Sequence, residues 1–438
     1  METFTQWIEA HVGPIAGKIG ANRYVQAIQN TFLTLIPFMT IGGLALVIIT
    51  PPMDYTTMDP GIGRAFMQGW STLASWLYQP LNTINLITMG CLAIWVAVGI
   101  AFFLARHYKM NGFLPVVVSA ASFASMALIN NEGALITDYF SGTGLFCAIV
   151  SSVASLELFR FLCNHKVGRI EIPGGGVPPA LADSIGQLAP AAIVFIVMSV
   201  VSTIALRVTG QPFADFVAIL LSPLIGAVDS YWGVLFVAFT IPLLFWFGIH
   251  DSVITSPLEP FLYANLYANM AAYAAGTALP YTFTQSFLFY FVSIGGNGAT
   301  LALALLTLRS KSKQIKTIGR LGIVPVIFGV NEPIVFGLPV MYNPLMFIPS
   351  ILSMVLNATI TYAAMIFGLV GKTFIYPGWN LFSPVGAIVS TMDVRALVLV
   401  IALIALDVAV YYPFFKAFER NKLEEESTDD QVDAQQAV

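Results

Sequence analysis

Nine stretches of about 20 residues run through this chain almost without a charged side chain, and few folds accommodate such a pattern. They are Thr31 to Thr50, Ile84 to Ala105, Gly112 to Asn130, Gly142 to Cys163, Leu188 to Val208, Tyr231 to Ile249, Gln285 to Leu308, Tyr342 to Leu369 and Val394 to Phe415. Each has the length at which an α-helix crosses the hydrocarbon core of a bilayer. Basic residues gather after the second stretch (Arg106, Lys109), after the fourth (Arg160, Lys166, Arg169), between Arg309 and Arg320, and after the last (Lys416, Arg420, Lys422). These four places are expected on the cytoplasmic side. The chain must then cross an even number of times between Arg169 and Arg309, whereas three crossings are evident. Pro212 to Val228 is taken as the fourth, a short span. Ser256 to Gly276, dotted with Asn265, Asn269 and tyrosines, is taken as a re-entrant hairpin.

The composition agrees with that reading. Hydrophobic residues make up 57% and charged residues 10% of 438, against roughly 25% charged in soluble domains. The net charge of -4 comes partly from the acidic end, Glu424 to Asp433, and no basic, aromatic-interleaved patch points to nucleic acid. Cys91, Cys147 and Cys163 are too dispersed for a disulfide framework or a metal site. Residues 1–30 are amphipathic without the short apolar core and small-residue cleavage site of a signal peptide.

Within this apolar background, Gly329-Val330-Asn331-Glu332-Pro333 sets a carboxylate at a chain break. An acidic group at membrane depth costs about 2.5 kcal/mol or more, so it needs a partner, a water-filled cavity or a function. The flanking apolar runs, Leu321 to Phe328 and Ile334 to Leu338, are too short to span, which predicts a re-entrant hairpin entering from the cytoplasm. A hairpin after Ile249 would enter from outside, and paired broken elements of opposite entry are how many transporters build a substrate site. His250, followed by Asp251 and Ser252, offers an imidazole where the Tyr231 run ends. Gly295-Gly296-Asn297-Gly298 interrupts another run, either for close helix packing or to free backbone groups for a polar ligand. Trp246 and Trp379 are interfacial aromatics by default, yet a flat ring also suits the C–H face of a sugar.

These residues resemble a known family. Ile15-Ala16-Gly17-Lys18-Ile19 with Asn22 to Pro37, Pro178-Pro179 with Ser184, Phe245-Trp246 to His250, and Val330-Asn331-Glu332-Pro333 are similar to the membrane-spanning EIIC component of bacterial phosphotransferase-system (PTS) sugar transporters, in the lactose/cellobiose/diacetylchitobiose branch. The resemblance covers essentially the whole chain. Asp251 departs from it, standing where the family pattern has glycine, and so do Ala180 and Ile185 around Pro178-Pro179. The resemblance implies that Glu332 and His250 grip the sugar and act catalytically. It also implies that Trp246 and Trp379 stack on the sugar and that Gly296 and Asn331 line the pocket, with Asn297, Asp251, Ser252 and Asn82 as further substrate-binding positions. It further implies inward carriage of a disaccharide, whose 6-hydroxyl attacks a phosphocysteine on a separate cytoplasmic EIIB protein, itself charged by EIIA. Glu332, if buried, would have its pKa raised toward neutrality and serve as general base; the alternative role is to hydrogen-bond the hydroxyls only, since phosphoryl transfer depends mostly on positioning and electrostatics. No cofactor or metal is expected. Membrane lipid and a second copy of the chain are expected partners.

The expected fold is an all-α polytopic membrane protein of the bacterial cytoplasmic membrane, with about ten transmembrane helices, two re-entrant hairpins of opposite entry and both termini cytoplasmic. A cytoplasmic N-terminus (1–30) would precede a scaffold domain (31–209) that includes a cytoplasmic loop (164–187). A substrate-binding domain (210–420) and an acidic disordered tail (421–438) would follow. The rival reading is an ion-coupled secondary sugar transporter in which Glu332 and His250 form a coupling relay without phosphorylation.

Overall fold

The computed structural model describes residues 18, 21–51, 54–110, 113–127, 136–168, 170, 185–338, 340, 343–378 and 381–436. Their regular structure is all helix, with no strand among the described residues, and they divide into two compact units, Gly20–Ile225 and Gly226–Val438. Six helices are long and apolar enough to cross a membrane, or up to seven if a bent pair is one span. That pair is Phe213–Asp229 with Tyr231–Trp246, meeting at 65°.

The first unit holds α1 (Arg23–Ile49), α2 (Ile62–Thr88), α3 (Leu92–His107), α4 (Leu114–Ala127), α5 (Leu145–Asn164) and α6 (Leu188–Thr209). The Asn22 side chain starts α1 by accepting from the backbone of Tyr24 and Val25, as an N-cap should. Helix α3 is its centre: Leu92, Ala93, Val96, Ala97, Ile100, Ala101 and Leu104 are fully buried. Serines let α4 and α5 approach closely and bond across the gap, Ser155 Oγ to Ser119 Oγ (3.1 Å) and Ser119 Oγ to the Ser152 carbonyl (3.2 Å). At the basic ends of α1, α3 and α5, Glu157 accepts from Tyr24, Tyr108 and Arg160.

The span expected from Ile84 to Ala105 lies inside a longer one: α2 and α3 together make a single candidate span, Ile62–His107, interrupted only at 89–91. The 27 residues of α2 extend it ahead of that interruption. The polar residues of α2, among them Gln68, Ser71, Ser75, Gln79, Asn82 and Asn85, dilute the hydropathy signal. Asn85 and Trp70 instead bind carbonyls of α1, at Gly42 (3.0 Å) and Ile48 (2.9 Å).

After α7 (Phe213–Asp229), which runs from the first unit into the second, come α8 (Tyr231–Trp246) and α9 (Ser252–Ala274). A helical turn (Gln285–Phe287) and a π turn (Leu288–Val292) lead to α10 (Leu301–Thr307), α11 (Lys313–Ile327), α12 (Glu332–Gly337), α13 (Pro344–Ile366), α14 (Ser383–Thr391) and α15 (Arg395–Gln436). Ala396, Val400, Leu403, Asp407, Tyr411, Phe415 and Phe418 form one buried stripe at helical spacing along α15.

Three expectations need correction here. Ser256 to Gly276 is no hairpin, because α9 is one uninterrupted helix of 23 residues. The asparagines that suggested a polar tip are brackets for extended chain: Asn265 donates to Phe283 O (2.9 Å), and Asn269 donates to Tyr281 O (2.7 Å) and Thr373 O (2.8 Å). Gln285 to Leu308 is not one span either, since Ser293 to Thr300 is non-helical. The acidic end is helical to Gln436 rather than disordered, favoured by Arg420–Glu424 (3.0 Å) and Lys422–Glu425 (2.5 Å) pairs. Glu426 there also accepts from Ser312 Oγ (2.6 Å).

Candidate functional site

Four breaks in the helices of the second unit converge on one cleft of about 210 Å³. The first is the turn between α8 and α9, where Gly248 takes a left-handed conformation (φ 75°) and presents His250 and Asp251. The second is Ser293 to Thr300, with Gly295, Gly296 and Gly298 at φ of 77°, 108° and 82°. Side-chain-bearing residues rarely adopt these angles, so the glycine run ends the π turn and exposes backbone. The third is Gly329 to Asn331 ahead of α12, with Gly329 at φ 83°. The fourth is Leu381 to Ser383 at the start of α14.

Asn331 couples the second break to the third. Its side-chain amide donates to the Asn297 carbonyl at 2.9 Å, and the residue is buried. A Cβ on Gly296 would lie 2.7 Å from Asn331 Cγ, so this crossing admits no side chain at position 296.

His250 is held by its own loop. Nδ1 lies 2.9 Å from Asp251 Oδ1, 3.0 Å from Ser252 Oγ and 3.2 Å from the Ser252 backbone nitrogen. Whichever partner sets the tautomer, Nδ1 is engaged locally and Nε2 is the nitrogen that can meet a ligand. The imidazole is 71% exposed, as a group presented to a substrate must be.

Glu332 opens α12 and lines the cleft with its side chain exposed, not buried as expected of a general base tuned by desolvation. Phe245 and Phe289 supply half-buried aromatic walls, and Ser293 and Ser383 add hydroxyls.

Of the residues expected at a site, the cleft brings together His250, Asp251, Gly296, Asn297, Asn331 and Glu332. Ser252 does not line it and instead orients His250. Trp246 stands outside this cleft, beside a smaller hollow that it shares with Phe245 and Asn297. Its ring is 6% exposed, packed on Phe247 and Phe347, and its indole N–H donates to Asn343 O at 2.8 Å. The end of α8 turns that ring into the core while Phe245 faces the cleft. Asn82 lies on α2 in the first unit and is not among the lining residues, and Trp379 falls outside the described residues. Sequence reading missed Phe289, Ser293, Leu381 and Ser383; only Ser293, two residues before the glycine run, carried a signal.

A wider hollow of about 320 Å³ in the first unit, lined by Tyr108, Lys109, Cys163 and Lys166 among others, lacks this convergence of carboxylate, imidazole and amide.

Residues 29–353 match the family described as Phosphotransferase system, EIIC. The chain belongs to the phosphotransferase-system EIIC family. Among its relatives, the cellobiose-specific EIIC component of Geobacillus stearothermophilus is 31% identical over 98% of this chain and 97% of its own. The lactose-specific EIICB component of Streptococcus mutans is 29% identical over 94% of this chain and 72% of its own. The crystal structure of the transporter ChbC, the IIC component of the N,N'-diacetylchitobiose-specific system, superposes with a TM-score of 0.87 at 28% identity. That match covers 96% of this chain and 99% of ChbC. This EIIC component is thus a multi-pass membrane sugar permease of the family that holds the cellobiose and lactose EIIC components, and part of a sugar phosphotransferase system.

Proposed function

We propose that the cleft binds a disaccharide of the cellobiose, diacetylchitobiose or lactose type, carries it inward and presents its 6-hydroxyl to a phosphorylated EIIB protein. The observation that carries this reading is the meeting of Glu332, His250 and Asn331 with two aromatic walls in one cleft of broken helices. Sugar hydroxyls need acceptors and donors of that kind, and the apolar C–H faces of the ring suit Phe245 and Phe289. EIIB as partner is supported by the relatives named EIICB.

In the transfer, the 6-hydroxyl oxygen attacks phosphorus of the EIIB phosphocysteine. The new O–P bond forms as the P–S bond breaks, the thiolate leaves, and the hydroxyl proton passes to the Glu332 carboxylate. His250 Nε2 binds an adjacent hydroxyl and fixes the orientation, which is where most of the rate in phosphoryl transfer originates.

Access from the cytoplasm follows from α11. Its 15 residues rise about 22 Å at 1.5 Å each, less than a hydrocarbon core of about 30 Å. We therefore read α11 and α12 as entering from the cytoplasmic side and stopping at membrane depth, with Glu332 at the tip and both chain termini cytoplasmic.

The test is uptake by sealed vesicles with and without phosphorylated EIIB, scored for sugar phosphate inside. Accumulation of free sugar driven by an ion gradient alone would instead establish secondary transport.

A further inference from the structure

Behind the cleft wall, the interface of α13 and α15 buries a carboxyl group without a cation beside it. Asp407 is 1% exposed, and among the described residues no lysine, arginine or histidine forms an ion pair with it. Its Oδ2 accepts from Asn357 Nδ2 at 2.9 Å. Asp407 Oδ1 and Asn357 Oδ1 are both buried and have no hydrogen-bond partner. An ionised carboxylate whose partners are only the Asn357 amide and the neighbouring Ser353 hydroxyl is strongly disfavoured in such a place, and an orphaned amide oxygen adds to the cost. The titratable group facing Asp407 is Tyr411, one turn further along α15, and α13 presents only the neutral Ser353 and Asn357 to it.

We propose that Asp407 carries a proton, which Oδ1 donates to Asn357 Oδ1, closing a reciprocal acid–amide pair that positions the glycine segment lining the cleft. One proton satisfies both orphaned oxygens at once. A cation held between the same two oxygens, with the Ser353 hydroxyl one turn away on α13, is the alternative occupant; it would need several oxygen ligands at about 2.3–2.6 Å.

The pair stands next to both ends of the cleft segment. Asn357 Nδ2 also reaches the Val292 carbonyl at 3.4 Å, just before Ser293. Tyr411 donates to the Gly298 carbonyl at 2.6 Å, and the Gly298 N–H meets the Met354 sulfur at 3.0 Å. Between these anchors lie Ser293, Gly295, Gly296 and Asn297, all lining the cleft. Asp407 and Asn357 are thus positioning residues that need not touch substrate. The role assigned to the cleft rests on the sugar-binding reading above; the protonation state does not.

Difference infrared spectra of purified wild type against Asp407→Asn at neutral pH test the proton directly. The expected result is a protonated-carboxyl C=O band, shifted in D₂O, that the variant loses; loss of carboxylate bands only would overturn the proposal. In disaccharide binding, Asp407→Asn should stay within about twofold of wild type, because an amide–amide pair keeps both hydrogen bonds. Asp407→Leu and Asn357→Leu should lose about tenfold. Should the leucine variants fail to fold, the exchange Asp407→Asn with Asn357→Asp keeps an acid–amide pair and should restore both the band and the affinity. An Asp407→Asn defect as large as that of Asp407→Leu would show that the charge itself is needed. Thermal stability of wild type should be equal in sodium and choline salts; sodium-dependent stabilisation lost in Asp407→Asn would assign the site to a cation instead. If wild type binds no disaccharide, the sugar reading fails while the infrared result still decides the proton.

Discussion

The side-chain amide of Asn331 donates to the backbone carbonyl of Asn297 at 2.9 Å, joining two helix breaks 34 residues apart into one wall of the cleft. The bond depends on a bare backbone beside it, because Gly296 sits at φ 108° with Asn331 atoms where its Cβ would be. Gly296→Ala must therefore adopt a strained conformation and push Asn331 away. The cost is of order 1–3 kcal/mol, confined to the site. Disaccharide affinity is expected to fall about tenfold or more, with a lower thermal transition beside it. Unchanged affinity by calorimetry would show that the crossing does not shape the binding surface.

Glu332 is exposed in the cleft, so its carboxylate meets sugar hydroxyls without first losing a protein partner. Hydrogen bonds to a charged group contribute about 1.5–3 kcal/mol and neutral ones about 0.5–1.5. Glu332→Gln should weaken disaccharide binding roughly tenfold and, since glutamine takes no proton, remove phosphorylation by phospho-EIIB far more completely. Wild-type affinity in the variant would sink the binding assignment. Reduced affinity with normal transfer at saturating sugar would leave Glu332 as a hydrogen-bonding group alone.

Trp246 is part of the core, with its indole N–H on Asn343 O. Trp246→Phe keeps an aromatic ring and removes that one hydrogen bond, a net loss of about 0.5–1.5 kcal/mol, since the Asn343 carbonyl still accepts from the Met346 and Phe347 N–H groups. A lower melting temperature with a dissociation constant within about twofold of wild type is expected. A large affinity loss at unchanged stability would restore this ring to the sugar. Phe289→Ala, by contrast, removes a wall of the cleft and should weaken binding with less effect on stability.

The site was legible where its chemistry broke a pattern. A carboxylate beside glycine and proline, a glycine run inside an apolar stretch and a histidine where another such stretch ends all conflict with an uninterrupted span, and each marks a helix break on the cleft. Phe289 and Leu381 broke no pattern, because an apolar residue in an apolar sequence gives no sign of which way it faces. The same blindness affected Asn265 and Asn269. Their amides bracket backbone carbonyls at 2.7–2.9 Å, yet in sequence they look like the polar tip of a hairpin. Helix α2 was hidden for the converse reason, since its polar residues lower the hydropathy of a helix that packs on α1 through Asn85 and Trp70.

Orientation in the membrane rests on the basic residues between Arg309 and Arg320, which place the start of α11 in the cytoplasm. If α11 and α12 turn back before crossing, α13 starts from the cytoplasmic side and ends outside, near Ile366. Lys313 and Leu369 are both exposed, so single cysteines there, in a background without Cys91, Cys147 and Cys163, can react with a membrane-impermeant maleimide. In right-side-out vesicles the cysteine at 369 should label and the one at 313 should not, and inverted vesicles should reverse the result. Labelling of both positions from the same side would mean that the segment holding Glu332 crosses the membrane completely, which would take its carboxylate away from a cytoplasmic phosphoryl donor.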